Sequence, residues 1–278
     1  NLPKNFYPAR PVLNSIEWQN IIDYYTALSP DSLPKQQRSK TIQPGLPLFK
    51  VEVPGYTYPS PAVCFTKIDT TSSPHQLLTF DLSGKYIFSY DSHLLLTDSA
   101  KSAATITDLD FHNDTMLACN INVINPNNGR FGKANYIRRK VNDKLEMDTM
   151  ALFDSLARPV QISSCDLNND KKTDYLICEF GNLTGALSWM ENTGDNKFAR
   201  HVLRSEPGAI KAYLEDFNHD GLLDIWALFT QGQEGIYLFV NKGNGKFEQT
   251  LVLSFPALYG STYFEFADFN KDGLKDIV

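Results

Sequence analysis

From about residue 61 onward the chain is a succession of short apolar runs separated by polar turns rich in Asn, Asp and Gly. Runs such as Tyr175-Leu176-Ile177-Cys178 and Ile225-Trp226-Ala227-Leu228-Phe229 are too short for helices and rich in β-branched and aromatic residues, so they read as strands. Two stretches follow the same plan of four runs. In the first, runs end at Ser164 and Phe180 and then cover residues 186–191 and 198–203; in the second, the runs end near Leu214, Phe229, Val240 and Leu253. The turns joining third to fourth runs match as well. Asn192-Thr193-Gly194-Asp195-Asn196-Lys197-Phe198 and Asn241-Lys242-Gly243-Asn244-Gly245-Lys246-Phe247 lie 49 residues apart, and both have hairpin composition. Residues 62–68, 76–80, 86–90 and 94–97 keep the strand pattern earlier in the chain. A period of about 50 residues with four strands per unit is the signature of blades stacked around an axis, because one such sheet cannot bury both of its faces alone. The expected class is all-β, a β-propeller of four-stranded blades.

The first 47 residues differ. Trp18, Ile21, Ile22, Tyr25 and Leu28 recur at helical spacing, Asn14 and Glu17 form a capping box, and Ser29-Pro30 stops the helix. Four prolines in residues 30–47 make that segment a linker or a strap lying on a surface, with the helix docking on the main domain as a cap. Residues 48–53 read as a strand. The chain thus divides into an N-terminal helix and Pro-rich arm, 1–47, and blades over 48–278, about four full ones and the start of a fifth. Its last residues begin a second strand, so the expectation is that the native protein continues past Val278 to about seven blades, with 48–53 closing the ring.

Between the first and second strands of three units lies the same nine-residue loop. The copies are Asp166-Leu167-Asn168-Asn169-Asp170-Lys171-Lys172-Thr173-Asp174, Asp216-Phe217-Asn218-His219-Asp220-Gly221-Leu222-Leu223-Asp224 and Asp268-Phe269-Asn270-Lys271-Asp272-Gly273-Leu274-Lys275-Asp276. A hard cation such as Ca2+ takes about six to eight oxygens. Asp, Asn and Asp at positions 1, 3 and 5 of a curled loop can point three oxygens inward, the carbonyl of position 7 (Lys172, Leu222 or Leu274) can add a fourth, and the Asp at position 9 can close the cage. Gly at position 6 allows the sharp turn; Lys171 replaces it in the first copy, which should be strained there or turn differently. An EF-hand is excluded, since it needs Glu at position 12 and helical flanks, whereas position 12 here is Ile177 or Ala227 within a strand. Around Asp110 and Asp114 a fourth copy is shortened and lacks the closing Asp, so no metal is expected there.

The pattern Asp-x-Asn-x-Asp-Gly-x-x-Asp followed by an apolar strand, at blade spacing, resembles the FG-GAP/VCBS repeat family, which includes the calcium-binding blades of integrin α-chain propellers and of secreted bacterial proteins. The resemblance covers roughly residues 61–278 and is carried by the three loops. It implies a propeller with Ca2+ on one rim, and no single activity, since members serve as adhesion modules, lectins and accessory domains of enzymes. The first 35 residues resemble, faintly, the last helix of a cytochrome c domain, but no Cys-x-x-Cys-His motif occurs to attach a haem.

Charge adds to this picture. The net charge of −6 would be cancelled by three bound Ca2+ ions, and no basic patch points to nucleic acid. No apolar run is long enough for a membrane helix, and there is no signal peptide, which suits a mature or trimmed secreted, periplasmic or cell-surface protein. Cys64, Cys119, Cys165 and Cys178 lack metal or redox spacing and read as buried thiols, disulfides being the alternative. The expected function is a binding or adhesion module for a glycan or extracellular protein, with Ca2+ mainly structural. Trp189, Trp226, Tyr213, Tyr237 and Tyr263 are candidates for stacking on sugars, or else packing residues of the blades. The alternative, a carbohydrate-active enzyme or its accessory domain, lacks a catalytic constellation: the five His residues show no triad or metal spacing, and no Gly-x-Ser-x-Gly is present.

Overall fold

The computed structural model describes residues 14–28, 50, 52–56, 58–112, 115–140, 144–256 and 260–278. The chain forms two compact units, Asn1–Val53 and Pro54–Val278. In the first, α1 runs over Ser15–Leu28 and none of its residues is buried. Its start is fixed as the capping box requires: Asn14 Oδ1 accepts the amides of Ile16 and Glu17, each at 2.9 Å, and Glu17 Oε2 accepts the amide of Asn14 at 2.8 Å. Residues 1–13 and 30–47 lie outside the described set. So do residues 48, 49 and 51, and the described Lys50, Glu52 and Val53 carry no strand; the second compact unit starts at Pro54.

The second unit is a series of antiparallel four-stranded sheets in sequence order. The first holds β1 (Val63–Asp69), β2 (Gln76–Asp81), β3 (Tyr86–Tyr90) and β4 (Leu96–Lys101). The next holds β5 (Thr105–His112), β6 (Thr115–Asn122), β7 (Gly132–Arg139) and β8 (Leu145–Leu156). The third is β9 (Pro159–Cys165), β10 (Asp174–Glu179), β11 (Ala186–Gly194) and β12 (Lys197–Arg204). The fourth is β13 (Ala209–Glu215), β14 (Asp224–Phe229), β15 (Gly235–Asn241) and β16 (Phe247–Ser254). Two short strands, β17 (Phe266–Ala267) and β18 (Asp276–Ile277), pair beyond them.

Side-chain alternation along the second strands explains why these sheets stack. In β10, Tyr175 and Ile177 enter a cluster shared with the second sheet, while Leu176 and Cys178 enter one shared with the fourth. In β6, Met116 and Ala118 face the first sheet and Leu117 and Cys119 the third; in β14, Ile225, Ala227 and Phe229 face the third sheet, and Trp226 and Leu228 meet Phe264, Phe266 and Ile277. Every hydrophobic cluster therefore lies between two successive sheets. This is why the second strands read as unbroken apolar runs, a pattern of strands covered on both faces.

The first strands of successive sheets pack side by side at the inner edge without forming a ladder. Side chains bridge them instead. Lys67 Nζ donates to Leu109 O at 2.5 Å, and Asp108 and Asp110 accept the amides of Ile162 and Ser164 at 3.3 and 3.1 Å. Gln161 exchanges a pair of bonds with Ala212, donating to its carbonyl at 2.9 Å and accepting its amide at 2.7 Å. At the rim where first strands begin, Phe180 N donates to Arg158 O, Gly208 N to Phe180 O and Thr230 N to Gly208 O, a chain of main-chain bonds running from sheet to sheet.

Replacing Gln161 by Leu is expected to strand the Ala212 amide and carbonyl and to cost about 2–4 kcal/mol of stability, measured by urea denaturation. Thr107→Val, which removes a hydroxyl bonded to Pro159 O at 3.1 Å, should cost about 1 kcal/mol in the same assay.

Candidate metal centres

The three nine-residue loops close on one register. Cys165 pairs with Asp174, Glu215 with Asp224 and Ala267 with Asp276, so each loop is the link between a first and a second strand. Within the loops the side chains of positions 1, 3 and 5 turn inward. The position 5 amide donates to the carboxylate of position 1 at 3.1, 3.0 and 3.1 Å, and to the Asn at position 3 at 3.1, 2.9 and 2.9 Å. The position 6 amide reaches the second oxygen of position 1 at 2.8, 2.9 and 2.9 Å. The position 7 amide (Lys172, Leu222, Leu274) donates to the Asp at position 5 at 2.9, 2.9 and 2.8 Å. Two carboxylates and one amide oxygen, Asp166/Asn168/Asp170, Asp216/Asn218/Asp220 and Asp268/Asn270/Asp272, are thus gathered on each exposed tip.

The third carboxylate, the Asp at position 9, does not join them. Asp174 and Asp224 are fully buried. Asp174 accepts the amides of Leu167 at 3.3 Å and Asn192 at 2.8 Å and the indole N–H of Trp189 at 2.9 Å. Asp224 accepts the amides of Phe217 at 3.0 Å and Asn241 at 2.7 Å, and Asp276 accepts that of Phe269 at 2.9 Å. The reason is position: this residue opens the second strand and points into the blade, where a carboxylate is tolerated only if N–H donors surround it. Burial pushes the Asp174 carboxyl up, and those donors oppose the shift. Position 9 therefore braces the loop from below. Accordingly, among the described residues no three His, Cys, Asp or Glu side chains are close enough to hold a metal by themselves. The oxygens of positions 1, 3 and 5 fit a hard cation; those of position 9 do not lie with them.

The copies are not equivalent. In the second and third, the Asn amide nitrogen is turned to the Asp at position 5, at 2.9 Å in both. In the first, Asn168 Nδ2 is drawn to Glu191 at 3.1 Å, and Lys172 Nζ sits 2.7 Å from Asp170 Oδ2. That ammonium holds the Asp170 carboxyl below its usual range. Lys171 adopts φ 65°, on the same left-handed side as Gly221 at 85° and Gly273 at 91°. The first loop therefore turns as the others do and carries the strain of a side chain there.

Of the aromatic candidates, Trp189, Trp226 and Tyr237 are buried, Tyr213 is half-buried and Tyr263 is exposed, so packing accounts for most of them. His219 is exposed at position 4. All four cysteines are free; Cys119, Cys165 and Cys178 are buried, and burial pushes their thiols up, while Cys64 is exposed. Asp110 braces the third sheet as described above, and Asp114 lies outside the described residues. No described helix is long and apolar enough to cross a membrane.

Stacked four-stranded antiparallel sheets whose first strands line the inner edge are the blades of a β-propeller, a fold of binding modules. The sequence model of the FG-GAP-like repeat matches residues 166–227 and again 216–278, so this part of the chain is similar to that repeat family. Among 24 solved chains that match, one described as "Structure of Dos1 propeller" has a TM-score of 0.49 at 10% identity, covering 69% of this chain and 47% of its own. The present chain thus spans about half the length of that one. No curated protein sequence matches it.

Lys171→Gly is expected to stabilise the protein by about 0.5–1 kcal/mol, the strain relieved less the added entropy of the unfolded chain, read from the denaturation midpoint. Asp224→Ala, which orphans two amides, should cost about 2–4 kcal/mol even with chelator present.

Proposed function

We propose that the protein is a calcium-stapled propeller acting outside the cytoplasm as a binding module for a glycan or another extracellular protein. The observation that carries this reading is the threefold recurrence of one loop, in one register, with the carboxylates of positions 1 and 5 and the Asn oxygen of position 3 gathered at an exposed tip. Two like charges so close are relieved by a cation. Asp216, Asn218 and Asp220, and likewise Asp268, Asn270 and Asp272, would hold Ca2+ with the carbonyls of Leu222 and Leu274, while Asp224 and Asp276 keep the loop in shape. The metal would supply a fixed charge that ties the loop to the blade edge. The first loop would bind most weakly, since Lys172 must leave Asp170 and Asn168 must leave Glu191.

In this reading Asp216→Ala or Asp220→Ala lowers the melting temperature in calcium and shrinks the difference between calcium and chelator. Equal melting of the variants and the parent in both conditions would count against it. Calorimetric titration with Ca2+ should resolve two tighter sites and one weaker, and Lys172→Leu should tighten the weaker one roughly fivefold, the worth of one exposed ion pair. A glycan and cell-surface-polymer screen, run with calcium and with chelator, tests the ligand. Binding in either condition supports a module of this kind, and no binding to any glycan moves the ligand to a protein.

A further inference from the structure

The nine-residue loops occupy the rim where first strands end, so the ends of β4 and β6 and the start of β7 lie at the opposite rim. There, between the first and second blades, is a groove of about 460 Å3. The face of the second blade that meets the first is apolar towards the loop rim, with Met116, Ala118 and Ile137 in the shared cluster. Two residues farther on it becomes polar: Asn120 opposes Lys133 across β6 and β7, and Asn135 opposes Ala118. Asn120 and Asn135 are only 7% and 5% exposed.

Each of these buried amides engages one of its two polar atoms on the protein. Asn120 Oδ1 accepts the amide of Asn122 at 2.8 Å, which fixes its orientation, and its Nδ2 finds no partner among the described residues. Asn135 Nδ2 donates to Asp148 O at 3.2 Å, and its Oδ1 finds none. Neither free atom is sealed from solvent, and both residues line the groove. Each idle atom therefore opens into the groove, where water or a ligand hydroxyl completes it. Around the pair stand Lys133, with no ion pair among the described residues, Lys101, and the 58% exposed ring of Phe131. Asp148, the one carboxylate of the groove among the described residues, is already paired with Arg138 at 3.2 Å.

We infer that this groove is a carbohydrate subsite for an acidic sugar residue, a pyranose bearing a carboxylate. The inference rests on the reading of the protein as a glycan-binding module and names its site and ligand class. A sugar hydroxyl both donates and accepts, so neighbouring hydroxyls match the idle donor of Asn120 and the idle acceptor of Asn135. These residues are diagonal neighbours about 7–8 Å apart across the strand pair, the scale of one sugar ring. The carboxylate pairs with Lys133 or Lys101, and the ring's C–H face lies on Phe131.

The test is a titration of the 15N-labelled protein with glucuronic acid and, separately, with glucose, followed by NMR. Expected are saturable shifts of the Asn120 and Asn135 side-chain amides with glucuronic acid and binding of glucose roughly tenfold weaker. Lys133→Ala changes an exposed side chain that is not part of the core, and should weaken glucuronic acid binding roughly fivefold or more; Asn120→Ala should weaken it roughly tenfold. Amides unmoved by glucuronic acid, glucose binding equally well, or Lys133→Ala binding as the parent does would each overturn the inference. Should Asn120→Ala not fold, the parent's amide shifts and Lys133→Ala decide. A glycan from the screen that binds parent and both variants alike would overturn this groove and leave the binding-module reading standing.

Discussion

A four-stranded sheet with apolar side chains on both faces cannot exist alone in water, and nearly everything else in this protein follows from that constraint. Its second strands feed two hydrophobic clusters at once, odd positions to one neighbour and even positions to the other. The inner edge gains no ladder from stacking, because adjacent first strands run past one another without pairing. The unpaired polar groups there are met by side chains, Gln161 on Ala212 and Asp108 on Ile162. Asp174 and Asp224 are buried where a second strand begins and are met by N–H donors, whereas buried Asp69 and Glu179, at strand ends, are met by arginines.

The loops at the rim use two kinds of carboxylate for two tasks, though the residue type is the same. Asp224 is a buried brace whose oxygens are taken by amides of its own blade; Asp216 and Asp220 lie at the exposed tip and keep lone pairs for something else. The division explains how a loop can keep its shape with or without a cation. It also separates the first loop from its copies. Lysines at positions 6 and 7 bring strain to the turn and an ammonium to Asp170, so this copy carries part of its own neutralisation.

The strands, their order and the blade period were legible in the sequence, because a strand covered on both faces writes an unbroken apolar run and the Asp-rich loops mark the start of three second strands. The helix start was legible in Asn14 and Glu17. The role of position 9 was not: Asp174 and Asp224 look like ligands by spacing, and only their position on the first paired residue of a strand turns them inward. The aromatic residues were ambiguous for a related reason, since Trp189 and Tyr237 suit a sugar face and a blade core equally well in composition. The groove was missed because Asn120 and Asn135 stand in strands of otherwise ordinary pattern. Their signal was a pair of amides at positions that alternation assigns to the inter-blade face.

Because every hydrophobic cluster lies between sheets, the energetic unit of this protein is offset by half a period from the unit visible in its sequence. A blade is a genetic module, whereas the seam between two blades is the thermodynamic one. Duplicating a blade copies two half-seams, and the copy is accepted only where its odd-numbered face suits one neighbour and its even-numbered face the other. Local opening follows the same geometry: a blade cannot come loose without exposing two seams, so the array is coupled to its nearest neighbours in the manner of a one-dimensional chain.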